Sequence, residues 1–275
     1  MSGRIAEVFR RLHTDGRTGL VTYVTGGDPH LARSAEILRA LDRAGADIIE
    51  VGVPFSDPIA DGPVIQRASE RALASGATLS NVLALVERLR GEIDAAIVLF
   101  TYANPVFRMG ADQFAARAAA AGVDGVLVLD LPIEEAGPFR QAVVDAGIDL
   151  IFLLSPTTTD ARIQRAAELG SGFLYGISRL GVTGARDQVA SGASALAGRI
   201  RAVSSLPLAV GFGLSSPEHV REIGECADAA VVGSALVNII AKEAETGNLI
   251  PAVERYVTWL TRDIVPEASG GAPVT

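Results

Sequence analysis

One short phrase recurs along the chain and constrains its fold more than any other feature. Gly45-Ala46-Asp47, Gly122-Val123-Asp124 and Gly147-Ile148-Asp149 each run directly into an apolar stretch, and Cys226-Ala227-Asp228 does the same. Glycine commonly ends a helix because it adopts the left-handed conformation without strain. A short, nearly continuous apolar run is typical of a strand buried on both faces of a parallel sheet. The repeat therefore predicts a chain of alternating helices and strands.

Eight strands are predicted from these runs and from others like them. Several of them end at proline or glycine, because proline cannot donate a hydrogen bond to a strand ladder. The predicted strands span residues 20–25, 48–51, 96–101, 125–129, 150–153, 173–176, 208–211 and 229–232.

Helices are predicted between the strands, where apolar residues recur at spacings of three and four. They span residues 31–44, 81–90, 113–121, 134–146, 161–169 and 217–224, and an extra helix precedes the first strand. Strands that alternate with helices imply right-handed crossovers, and eight such units favour an α/β fold of the closed (β/α)8 TIM-barrel type. A doubly wound open sheet is the alternative, but residues 26–29 lack the G-x-G-x-x-G turn with which such a sheet usually opens.

The domain organisation follows from length and local composition. A chain of 275 residues is ordinary for one α/β barrel, so we expect a single catalytic domain over residues 1–265. Residues 266–275 are small and polar, and we expect this tail to be disordered. Residues 178–192 form a long, glycine-rich polar stretch, which is typical of a lid over a site.

Composition excludes several classes of function. The net charge is −8 and no basic run stands out, which argues against a nucleic-acid partner. The single cysteine, Cys226, cannot form an intramolecular disulfide, which fits a reducing compartment. No apolar stretch is long enough to span a membrane, and the N-terminus lacks the apolar core of a signal peptide. We therefore expect a cytoplasmic protein, and we find no spacing of histidines that predicts a metal site.

Glu50 is the first candidate catalytic residue, because it lies within the otherwise apolar run 48–51. A carboxylate buried there is costly unless it is paired or protonated. Its pKa should therefore be raised, which suits a general acid/base. The alternative is a structural carboxylate that accepts hydrogen bonds from backbone amides, and position alone does not decide between the two.

Asp61 is the second candidate, in the loop that follows the Glu50 strand. This loop also contains Asp57, and Pro54, Pro58 and Pro63 make it stiff enough to hold a catalytic group. The alternative is that Asp61 merely caps the helix that starts at Pro63.

A phosphate site is predicted where the last two strands end. Gly211-Phe212-Gly213 follows the seventh strand, and Gly233-Ser234 follows the eighth. Barrel enzymes often bind phosphate with these two loops and a helix N-terminus, because glycine lets backbone N–H groups approach the anion. The alternative is a tight turn at Gly233 with Ser234 as an unliganded helix cap.

Several aromatic residues are left without a decided role. Tyr175 flanks the end of the sixth strand, together with Arg179. Tyr23, Tyr102, Phe212 and Leu127 line either an apolar pocket or the plain core, and the sequence alone does not choose.

Residues 49–63, IEVGVPFSDPIADGP, resemble the most distinctive motif of the tryptophan synthase α chain family. Further matches occur in the order of the family and cover nearly the whole chain. They are Gly27-Asp28-Pro29, Tyr102-Ala103-Asn104-Pro105, Ser178-Arg179 with Gly181-Val182-Thr183-Gly184, and Gly211-Phe212-Gly213.

The resemblance implies a role for each matching residue. Glu50 and Asp61 match the two catalytic carboxylates, and Tyr175 matches an active-site tyrosine near Glu50. Thr183 matches a lid threonine that meets the Asp61 loop. The phosphate site corresponds to Gly184, Gly213, Gly233 and Ser234. We add Tyr102 and Phe212 as expected substrate contacts.

The resemblance also implies a reaction and a partner. The family cleaves indole-3-glycerol phosphate to indole and glyceraldehyde 3-phosphate by a retro-aldol reaction in tryptophan biosynthesis. It passes indole to a β subunit that carries pyridoxal phosphate, in an α2β2 complex, so no cofactor is expected in this chain. Asn104 and residues 54–58 match surfaces that face the β subunit.

Two other functions remain open at this point. The chain could be another phosphate-binding barrel, such as an isomerase or epimerase of sugar phosphates. It could also be a non-catalytic subunit that only activates a partner, although the presence of both Glu50 and Asp61 weighs against this.

Overall fold

The computed structural model describes residues 3–177, 186–211 and 213–262, with the backbone alone for residues 186–191. Three predicted site residues, Thr183, Gly184 and Phe212, lie outside the described residues, and so does the predicted tail at residues 266–275.

Eight parallel strands form a closed barrel in which each strand pairs with the next and β8 pairs with β1. The strands are β1 Gly19–Thr25, β2 Ile48–Gly52, β3 Ala96–Thr101, β4 Gly125–Val128, β5 Asp149–Leu154, β6 Leu174–Ile177, β7 Leu208–Gly211 and β8 Ala229–Val232. The predicted barrel is confirmed, and the alternative of an open sheet is wrong. Every predicted strand is present to within one residue at each end.

Helices surround the barrel. In the described chain they are α1 Arg4–Asp15, α2 Leu31–Arg43, α3 Pro63–Ala74, α4 Leu79–Leu89, α5 Ala103–Met109, α6 Ala111–Ala120, α7 Gly137–Asp145, α8 Asp160–Leu169, α9 Arg186–Arg201, α10 Pro217–Gly224, α11 Ser234–Glu243 and α12 Leu249–Thr261. Short 3-10 turns, Arg90–Glu92 and Ile133–Glu135, precede β3 and α7.

The extra N-terminal helix, α1, closes the bottom of the barrel, where the strands begin. Its side chains Ile5, Val8, Phe9 and Leu12 are buried in one cluster with residues of the barrel interior. The Phe9 ring lies 5.7 Å from that of Phe173, which directly precedes β6. The site must therefore open at the other rim, where the strands end.

Two predicted boundaries are wrong. The lid was predicted over residues 178–192, but α9 begins at Arg186, so the predicted stretch is helical from that residue onward. The helix predicted from residue 134 begins as an α-helix at Gly137 instead, and Pro138 lies in its first turn. Proline is tolerated there because the first N–H groups of a helix have no acceptor within it.

Helix α5 is one of the helices that were not predicted. Residues 103–109 form α5 directly after β3, although Asn104 and Pro105 are typical of a turn. Asp130, which follows β4, accepts a hydrogen bond from the backbone N–H of Ala103 at 2.7 Å. This contact from a distant loop satisfies the first N–H of the helix, and the local sequence does not reveal it.

Among the described residues, no helix is both long enough and apolar enough to cross a membrane.

Candidate active site

Alternate residues of β2 face the barrel interior, and this alternation places Glu50. Ile48 belongs to the interior cluster that α1 covers. Since side chains of a strand alternate between its two faces, Glu50 and Gly52 also face inward, nearer the open rim. Glu50 pairs in register with Tyr23 of β1 and Val98 of β3.

Glu50 is fully buried, and among the described residues neither of its carboxylate oxygens has a hydrogen-bond partner. Burial in this apolar interior disfavours the charged form and raises the pKa of Glu50 from 4.5 to about 8. The structural alternative, a carboxylate capped by backbone amides, is wrong for the part of the chain that the structure describes, because no backbone amide there donates to Glu50. A carboxyl group that titrates near neutral pH is suited to give and take protons.

Asp61 lies half-buried at the open rim, in the loop between β2 and α3. Its carboxylate accepts a hydrogen bond of 3.0 Å from the hydroxyl of Tyr102. Burial raises the pKa of Asp61, and the Tyr102 bond lowers it. The capping alternative is wrong as well, because Gly62 is the N-cap of α3 and no side-chain cap bond is present.

Tyr102 anchors the whole Asp61 loop. Its hydroxyl also accepts a hydrogen bond of 3.1 Å from the backbone N–H of Ala60, and its ring centroid lies 5.0 Å from that of Phe55. The side chain of Gln66 donates to the carbonyl oxygen of Asp61 at 2.9 Å. These contacts hold Asp61 in one position above the strand that carries Glu50.

Tyr175 of β6 reaches across the interior from the opposite side. Burial raises the pKa of its hydroxyl, and the negative charge of Glu50 raises it further. A Cβ added to Gly211 of β7 would lie 3.0 Å from the Tyr175 hydroxyl. The absence of a side chain at Gly211 therefore leaves room for Tyr175.

Three of the four predicted phosphate residues are described, and they follow β7 and β8 at the same rim. Gly213 follows β7, is exposed, and has a φ of 73° that favours glycine. Gly233 is the N-cap of α11, and the exposed Ser234 is the first residue of that helix. The alternative of Ser234 as the cap is wrong. The N-terminus of α11 therefore presents N–H groups and a positive dipole end to the rim.

Tyr23 had no decided role in the sequence analysis. It is 7% exposed and faces the interior beside Glu50. Its Cβ lies near Gly233, where an added Cβ would come within 3.4 Å, and its hydroxyl lies against Gly52. Tyr23 thus extends from the phosphate residues to the strand that carries Glu50. Side chains alternate between the two faces of β1, and this alternation could have indicated that Tyr23 faces the interior, but only once the barrel was known.

Comparison with known proteins identifies the family. A family model described as tryptophan synthase alpha chain matches residues 9–258. The chain is 52% identical over 262 residues to the tryptophan synthase alpha chain of Geobacter sp. (strain M21), covering 95% of this chain and 98% of the relative. It is 47% identical over 259 residues to that of Solibacter usitatus, covering 94% and 97%.

Solved structures agree with the sequence relatives. A tryptophan synthase structure from M. tuberculosis superposes with a TM-score of 0.87 at 35% identity, covering 96% of this chain and 99% of the other. Tryptophan synthase subunit alpha from Legionella pneumophila gives 0.86 at 34% identity, covering 94% and 97%. The match over nearly the whole length, in sequence and in fold, shows that the chain belongs to the tryptophan synthase alpha chain family, whose members are lyases of tryptophan biosynthesis.

Proposed function

We propose that Glu50 and Asp61 carry out the reaction of this family, the retro-aldol cleavage of indole-3-glycerol phosphate to indole and glyceraldehyde 3-phosphate. The observation that supports these roles best is the Glu50 carboxyl group, which is fully buried, has no hydrogen-bond partner within the described residues and has a pKa raised to about 8. A second carboxylate, Asp61, lies on the loop that leaves the same strand.

Glu50 performs both proton transfers. Its protonated carboxyl group donates a proton to C3 of the indole ring, which leaves positive charge on the ring. The resulting carboxylate removes the proton from the hydroxyl of the adjacent side-chain carbon. The oxygen then forms the aldehyde double bond, the carbon–carbon bond breaks, and its electrons restore the aromatic ring. Glu50 ends the cycle protonated, which a pKa near the working pH allows.

Asp61 stabilises the charged intermediate. An ionised carboxylate that accepts a hydrogen bond from the indole N–H favours positive charge on the ring. The hydroxyl of Tyr102 donates to the same carboxylate and holds it in place. In this proposal Tyr102, Tyr175 and Phe212 line the substrate space.

The phosphate group binds at the rim over the N-terminus of α11. Gly213, Gly233 and Ser234 supply backbone N–H groups and a hydroxyl, and the helix dipole favours the anion. The family resemblance assigns Gly184 to the phosphate site and Thr183 to a lid, and both residues lie outside the described part of the chain. Closure of such a lid would exclude water and retain indole.

Indole release from indole-3-glycerol phosphate tests the proposal. Wild-type chain should release indole, and Glu50→Gln should lose this activity while it still binds the phosphate ligand. Glu168→Gln is the matched control, since Glu168 is an exposed residue of α8 that pairs with Arg165. If Glu50→Gln released indole at a near wild-type rate, the role of Glu50 would be wrong.

A β-subunit partner is part of the proposal. Two large apolar side chains are exposed on segments that follow neighbouring strands: Ile59 in the Asp61 loop after β2, at 85%, and Phe107 in α5 after β3, at 52%. Exposed apolar side chains of this kind are often found at protein interfaces. We propose that this face and Asn104 bind a β subunit in an α2β2 complex, that pyridoxal phosphate belongs to that subunit, and that the complex works in the cytoplasm.

Matched substitutions test the partner surface. Ile59→Asp should weaken capture of this chain by an immobilised β subunit. Val203→Asp should not, although Val203 is also exposed, at 43%, because it follows α9 near the bottom of the barrel. Equal binding by the two variants would show that the β subunit docks elsewhere.

A further inference from the structure

Tyr23 is a polar side chain of the barrel interior that the proposed mechanism does not use. It pairs in register with Glu50, and its ring meets the Phe100 ring edge-on at 5.1 Å. Gly52 has no side chain, and a Cβ there would lie 2.2 Å from the Tyr23 hydroxyl. The missing side chain at Gly52 is what allows a tyrosine to lie across the β2 wall, just above Glu50.

The hydroxyl of Tyr23 retains hydrogen-bonding capacity. Its described partner is the hydroxyl of Thr25, at 3.3 Å, and either oxygen can be the donor. A phenol has one donor and further acceptor capacity, so this single long bond leaves part of it unused. Tyr23 pairs in register with Glu50 and its hydroxyl lies against Gly52, so the hydroxyl lies beside the strand that carries Glu50.

We propose that the Tyr23 hydroxyl forms a hydrogen bond with a hydroxyl of the substrate's glycerol chain and so distinguishes this substrate from deoxy analogues. This inference rests on the proposed function, because it assumes the proposed substrate and the same site. It adds a specificity-determining residue to that site.

The chemistry of the substrate points to its glycerol portion. The indole ring is apolar except for its N–H, which in the proposed mechanism donates a hydrogen bond to Asp61. The phosphate accepts hydrogen bonds from the backbone N–H groups at Gly213 and Gly233. The two carbon-bound hydroxyls lie between these ends. Tyr23 also lies between them, since it touches Gly233 on one side and Gly52 on the other. A buried neutral hydroxyl is stabilised when it pairs with another hydroxyl.

The test compares two ligands that differ only in these hydroxyls. Indole-3-glycerol phosphate and indole-3-propyl phosphate share the ring, the chain length and the phosphate, but the second has no hydroxyl on its chain. Binding of both would be measured by calorimetry; Glu50→Gln serves as the background for the first, so that it is not consumed. Tyr23→Phe in that background should weaken binding of the glycerol ligand roughly tenfold and leave binding of the propyl ligand unchanged.

Thr25→Val is the matched control, because it removes the partner of Tyr23 and keeps the Tyr23 hydroxyl. This variant should still prefer the glycerol ligand over the propyl ligand. If Tyr23→Phe weakened both ligands equally, or neither, the inference would be wrong while the proposed function stood. If the starting protein bound neither ligand, the proposed function would fail first and the inference with it.

Discussion

The hydroxyl of Tyr102 donates to the carboxylate of Asp61 across 3.0 Å and accepts the backbone N–H of Ala60, so one side chain fixes both the acid and the loop that carries it. Tyr102 directly follows β3, whereas Asp61 belongs to the loop after β2. The bond therefore joins two neighbouring segments at the open rim.

Replacing Tyr102 with Phe should affect catalysis more than stability. The Asp61 carboxylate would lose a donor, and its pKa would rise because that bond lowers it. We expect kcat/KM for indole release to fall roughly tenfold, as for loss of one hydrogen bond to a charged group. The acid limb of the pH profile should also move to higher pH. Phe55→Leu disturbs the ring packing on Tyr102 but not the bond, so an acid limb that moved equally in both variants would contradict this explanation.

Glu50 should make the stability of the chain depend on pH. Between pH 4.5 and about 8 the folded chain keeps a proton on Glu50 that the unfolded chain has lost. The free energy of unfolding should therefore fall as pH rises through this window. Glu50→Gln lacks this titration, so its Tm relative to the wild type should increase from pH 5 to pH 8.5. Thermal denaturation across this pH range would check the prediction. For Glu168→Gln, the difference in Tm from the wild type should stay the same across the range.

Gly213→Val should weaken substrate binding. Valine is strained at the φ of 73° found here, and its side chain would displace the phosphate from the backbone. We expect KM to rise at least tenfold with a smaller change in kcat. Gly147→Val introduces similar strain at a φ of 79° after α7, where an added Cβ meets nothing within 4 Å. A comparable rise in KM in that control would mean that strain alone explains the effect.

Gly52→Ala should displace Tyr23 and lower activity. The added Cβ would lie 2.2 Å from the Tyr23 hydroxyl and 2.7 Å from the ring carbon that bears it, so the whole ring must move. We expect a loss of roughly 1–3 kcal/mol in the free energy of unfolding, as for other overpacked cores, together with slower indole release. Gly91→Ala meets nothing within 4 Å and should be close to wild type in both denaturant unfolding and kinetics.

The strands could be predicted closely because strands of a barrel are buried on both faces and appear as continuous apolar runs. Helix boundaries were less accurate where a distant group decides them, as Asp130 does for Ala103. Glu50 was identified because one charge in an apolar strand is visible in the sequence. The Asp61–Tyr102 bond and the position of Tyr23 could not be predicted from the sequence, because they depend on how β1, β2 and β3 lie side by side.

The helix α1 gives the barrel a floor. Ile5 and Leu12 fill the space beneath Gly125 and Gly19, where an added Cβ would lie within 3 Å of them. A small apolar product released above this floor has no downward path, and among the described residues its way out passes the rim where the Asp61 loop and the exposed Ile59 lie. Because α1 blocks the bottom of the barrel, indole leaves at the open rim. A protein bound at that rim would be the first to receive the released indole.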